Sequence, residues 1–136
     1  MAATLKALHS LRVGRHQIPP WYHTLNASIH HTPFLIYRSG FHSSTTASEI
    51  SQHLTETCVA EPQWTCPIHV PSPSVSLHHA RDSPERFDAV VSSRDFLVVP
   101  ARVAHRLLHY NEVGVKMVGA YPMGKLWNMC YGDEEE

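Results

Sequence analysis

DFLVVPARVAHRLLHYN, residues 95–111, holds two short apolar runs separated by Pro100, with a histidine set inside the second run. Valine-rich runs of this length, broken by a proline that cannot donate to a β-ladder, read as two consecutive strands and a turn. Side chains alternate between faces along a strand. His105 therefore shares a face with Val103 and Leu107, the more apolar set. An inward imidazole of this kind serves as a metal ligand, as a general base or as a hydrogen-bonded core residue, and a lone one is more often the last.

The same pattern extends outward. DAVV (88–91), FLVV (96–99), VAHRLL (103–108) and the alternating VGVKMVGAY (113–121) are strand-like segments separated by turn-sized gaps, so the second half is β-rich. Upstream, FLIY (34–37) is a continuous apolar run suited to a buried strand. Thr46 and Glu49 form a T-x-x-E capping box, after which Ile50, Leu54 and Cys58 recur every four residues on one face of a helix. Between Glu61 and Pro84, prolines 62, 67, 71, 73 and 84 argue against central strand, and only VSLHHA (75–80) is expected to extend. Residues 1–33, with Pro19, Pro20 and Pro33, read as an extended arm wrapping the body.

Composition bounds the class. At 136 residues the chain suits one domain, and its 43% hydrophobic content is in the globular range. No stretch approaches the roughly 18 apolar residues of a membrane span. Eleven Lys and Arg against twelve Asp and Glu give a net charge of −1, without the basic excess that nucleic-acid binders use to hold phosphates. Neither membrane nor nucleic acid is expected as a partner. Cys58, Cys66 and Cys130 are odd in number and lack C-x-x-C spacing, which fits reduced thiols in an intracellular protein. The first 48 residues contain no acid, as in mitochondrial transit peptides, yet short basic Ala/Leu segments are also ordinary in cytosolic proteins. The expectation is cytoplasmic.

Twelve histidines are present, and His9, His16, His23 and His30 recur every seven residues. A heptad has meaning only on a continuous helix, which Pro19 and Pro20 interrupt, so this spacing is read as coincidence. In the pair His78 and His79, strand alternation puts His79 on the face of Val75 and Leu77.

The segment Phe96–Gly132 resembles the second half of a cupin. DFLVVPARVAHRLLHYN follows the order of the second cupin motif, and GAYPMGKLWNMCYG (119–132) is similar to the ending of YjlB-type cupins of bacteria and fungi. FLIYRSGF (34–41), the helix after it, PQW (62–64) and SPERFDAVV (83–91) resemble earlier landmarks of that subgroup, and LRVGRHQIPPW (11–21) the front arm of fungal members. The resemblance implies a mainly β, single-domain, RmlC-like jelly-roll β-barrel over residues 34–132, preceded by the arm (1–33), dressed with one helix and followed by an acidic tail (133–136). It also implies a metal-dependent oxidoreductase or accessory enzyme acting on a small-molecule substrate, of the kind that accompanies fungal polyketide pathways, including salicylaldehyde-type ones. The cofactor would be a divalent metal: iron, manganese, nickel or zinc.

The first cupin motif, H-x-H followed by glutamate, has no counterpart here. Residues 65–83, with Pro67, Pro71 and Pro73, leave its hairpin shortened or missing. His105 would then be joined by His79 and Glu85 as makeshift metal ligands, holding metal weakly or not at all, while Trp127 and Tyr121 shape an apolar pocket. Glycines of the family pattern are replaced by Arg94 and Arg102, and an aspartate by Asn128. The alternative is a degenerate cupin that binds or assembles without catalysis. A barrel lacking a hairpin would leave an edge near residues 88–91, through which a homodimer is expected.

Overall fold

The computed structural model describes residues 5–18, 32–68, 74–77, 87–101, 103, 105–107 and 115–126. Among them eight strands and one α-helix follow in order: β1 (Arg12–His16), β2 (Phe34–Arg38), α1 (Ala47–Thr57), β3 (Glu61–Ile68), β4 (Ser74–Leu77), β5 (Phe87–Val90), β6 (Phe96–Val98), β7 (His105–Leu107) and β8 (Val115–Tyr121). The protein is mainly β, and every strand pairing is antiparallel. Among the described residues the strands form three sheets, ordered β1-β2-β6, β3-β8 and β5-β4-β7, rather than one closed barrel.

The core lies between the first and third of these sheets. Phe34 and Ile36 project from β2, Ala89 from β5, and Ile18, Val91 and Val103 from the flanking chain, with Phe87, Leu97 and Val99 packed against them. Rings tie the layers together: Phe87 stacks on His16 at 4.1 Å between centroids and meets Phe34 edge-on at 6.0 Å. The arm thus contributes a full strand, β1, paired from Arg12↔Arg38 to His16↔Phe34, and the buried Ile18.

The expected strand in β2 and the expected helix are both present. Thr46 Oγ1 accepts from the Glu49 amide at 3.3 Å, and Glu49 Oε2 accepts from the Thr46 amide at 2.8 Å, completing the capping box. The Thr46 amide, and after it the Thr46 hydroxyl, which also donates to Glu49 Oε2 at 2.9 Å, hold the Glu49 pKa below its ordinary value. The helix stops because Cys58 turns left-handed, with φ 54°, and its amide bonds back to Thr55 O. Cys58 is therefore an exposed cap rather than the next member of the Ile50–Leu54 face, a correction to the four-residue spacing.

The proline-rich stretch departs most from expectation. Residues 61–68 form the longest strand, β3, despite Pro62 and Pro67. Among the described residues β3 has a partner, β8, on one side only, where a proline nitrogen loses little, and a register shift between Pro62 and Trp64 absorbs the irregularity. Trp64 lies opposite Gly119, where an added Cβ would stand 2.1 Å from the indole. Only glycine permits that approach. The PQW and GAYPMG segments, distant in sequence, are thus paired strands, and the Gln63 amide reaches Lys125 O across them.

Strand β5 ends the third sheet among the described residues, in the region where an open edge is expected. Its Val90 carbonyl accepts from Arg38 Nη1 at 2.6 Å, so a charged side chain blunts that edge. The acidic tail lies outside the described residues.

Candidate functional site

His105 begins β7 and is in register with Leu77, which is in register with Phe87. In-register residues of adjacent strands share a face, so His105 lies on the sheet face that bears Phe87 and Ala89, as alternation predicts. Its burial is not as predicted. His105 is exposed, with Nδ1 3.4 Å from Val103 O, while Val103 is buried. Strand β7 is three residues long and ends the third sheet among the described residues.

His79, Glu85, Trp127, Asn128 and Arg102 lie outside the described residues, and Tyr121 is half-buried at the end of β8. No group of three or more His, Cys, Asp or Glu converges among the described residues. Tight transition-metal sites use three or four converging donors. Of the expected ligands His105, His79 and Glu85, His105 alone lies among the described residues. His9 and His16 fall on a 3-10 turn and a strand, with no helix to give their seven-residue spacing a common face.

Asp95, the acid of the motif-like stretch, has a structural task. Its side chain is 3% exposed and ties the 92–95 turn to the end of β2: Oδ2 accepts from Arg38 Nη1 at 2.7 Å and from the Ser92 amide at 3.0 Å, and Oδ1 accepts from the Ser39 amide at 2.8 Å. The turn it closes, with Asp95 N bonded to Ser92 O, places Arg94 at φ 78°. Glycine is the ordinary occupant of that conformation, and an L side chain there costs about 1–2 kcal/mol. The strain expected from a missing glycine is thus present.

The concave feature lies elsewhere, on the outer face of the first sheet. A cavity of about 290 Å³ is bounded by Tyr37, Phe96 and Val98 of that face, by His53, Leu54 and Thr57 of α1, by Phe41 and Val59, and by Leu5 and Leu11 of the arm. Phe96 lies 5.9 Å from Tyr37 and 6.2 Å from Phe41 between ring centroids, making an aromatic floor. The arm closes one side through Lys6 N bonded to Gly40 O and an isolated bridge from Leu5 to Phe41. Polar groups are few, because the Thr57 hydroxyl already donates to the carbonyls of His53 and Leu54. The signal that could have found the cleft is FLIY itself: an uninterrupted apolar run requires cover on both faces, and Leu35 and Tyr37 face away from the core.

These features define a small antiparallel β-domain with a filled core between two sheets and an aromatic cleft bordered on one side by its helix. No protein-family model, no curated protein and no solved structure matches the chain. Among the described residues no helix is long and apolar enough to cross a membrane.

Proposed function

We propose that this chain is a cupin-like domain acting as a non-catalytic binding module, with a small, mostly apolar molecule held in the cleft beside α1. The cleft carries this reading. It is concave, bounded by three aromatic and five aliphatic side chains, and lies at the small end of the roughly 300–1,000 Å³ range of ligand pockets. Exposed walls at Leu5 and Val59, 51% and 71% accessible, leave apolar surface that a ligand would cover. The sequence supports the non-catalytic part, since the H-x-H of the first cupin motif is missing.

Titrating the full chain with 1-aminoanthracene, whose emission rises in apolar surroundings, tests this. Saturable one-to-one binding is expected, and it should disappear in Val98→Trp, which fills the cleft from the sheet side without touching the inner core. Binding that is absent, or equal in the variant, overturns the reading.

A second reading, a metal-dependent cupin oxidoreductase using His105, His79 and Glu85, is favoured by one observation. His105 pairs with Leu77, two residues before His79 in the chain, on the face that bears Phe87. Elemental analysis after dialysis decides it: one tightly held equivalent of manganese, iron, nickel or zinc, lost in His105→Ala, would establish that site.

A further inference from the structure

We infer that the ligand of this cleft is a flat aromatic molecule carrying one neutral hydrogen-bonding group, such as a hydroxyl, and that His53 is the residue that receives this group. The inference rests on the binding reading above and adds the chemical class of the ligand.

Three observations lead to it. The floor is built from Tyr37, Phe41 and Phe96, with Phe41 and Phe96 edge-on at 77°, an arrangement that offers both ring faces and ring edges to a planar guest. A cavity near 290 Å³ has room for a planar guest of one to three fused rings. The third concerns polarity. Of the two polar α1 residues on the cleft, Thr57 spends its hydroxyl on the helix backbone, whereas the half-buried imidazole of His53 has no hydrogen-bond partner among the described residues.

His53 and Leu54 are adjacent on α1, and Thr57 follows one turn after His53, so the imidazole stands at the polar margin of an otherwise apolar wall. A neutral imidazole both donates and accepts, and thus suits a hydroxyl in either sense. A guest without such a group would leave the imidazole partly desolvated and unpaired, which weakens binding. A long alkyl chain would fill the space without using the ring faces of the floor.

The test compares three probes on the full chain by ligand-observed NMR titration: 2-naphthol, naphthalene and decan-1-ol. For the wild type, 2-naphthol should bind about tenfold more tightly than naphthalene, the value of one net hydrogen bond. It should also bind more tightly than decan-1-ol. In His53→Leu the advantage of naphthol over naphthalene should vanish while naphthalene binding persists, and in His53→Gln part of it should return. Tighter binding of decan-1-ol than of 2-naphthol overturns the aromatic class. Equal binding of naphthol and naphthalene to the wild type, or an advantage that survives in His53→Leu, overturns the role of His53 and leaves the binding module standing. Failure of all three probes to bind overturns both. The wild-type comparison holds its force even if a variant does not fold.

Discussion

The two faces of β2 do different work with the same five residues. On the inner face Phe34 and Ile36 are sealed, at 0% and 1% exposure, by strand β5 and the chain around it. On the outer face Leu35 and Tyr37 are half-buried, and α1, which packs on β3 and β8 and borders the cleft beside Tyr37, has no fully buried residue. Close packing within about one side-chain layer stabilises the inner face, whereas the outer one keeps a space of about 290 Å³. An open aromatic-lined cleft beside a filled core presents apolar surface that a ligand would cover.

Mutation should separate the faces. Phe34→Ala removes a fully buried ring from the inner side and is expected to cost about 3–5 kcal/mol, enough to unfold a marginal domain, as read by urea melts. If it cost no more than a substitution on the outer face, the contrast would fail. Asp95→Ala at the rim removes the acceptor for Arg38 and two amides. The loss should be about 2–3 kcal/mol, seen as a lower melting point, with hydrogen exchange rising at Ser39 and Ser92.

Leu54→Ala lies on the outer side and should cost only about 1 kcal/mol in the same melts, since the site is half-buried, while weakening capture of 1-aminoanthracene. A large stability loss with unchanged dye binding would mean that the helix is held by packing and the cleft holds nothing. Arg94→Gly has the opposite sign: relief of the positive φ should stabilise the fold by about 1 kcal/mol, with the cleft unaffected.

The smallest effect belongs to the helix cap. Because the capping box lowers the Glu49 pKa, its support for α1 is fully present above the ordinary glutamate range and is lost as pH falls through the lowered folded value. In Glu49→Gln that acid-side dependence should flatten, as measured by thermal melts across pH. A slope unchanged by the substitution would place the dependence on other carboxylates.

Much of the architecture was legible because it is local. The capping box needs two residues three apart, and β2, β5, β6, β7 and β8 arise in runs whose apolar or alternating character shows directly. The strand over residues 61–68 was hidden, since whether a proline is tolerated depends on how many neighbours a strand has, and that number belongs to the sheet. Cys58 misled for a related reason: a helical spacing continues on paper after the backbone has turned left-handed.

For the site, the sequence alone determined that His105 follows an apolar run broken by Pro100 and that no H-x-H accompanies it, because both are properties of spacing along one chain. Which face is covered is a property of what packs on it. Tertiary structure left His105 exposed at the end of a short strand, and it brought Leu5, Tyr37, His53 and Phe96, from four separate segments, around one cleft. Side-chain alternation has a fixed period of two residues and is written locally. Burial and concavity depend on contacts between residues far apart in the chain, and folding alone assembles them.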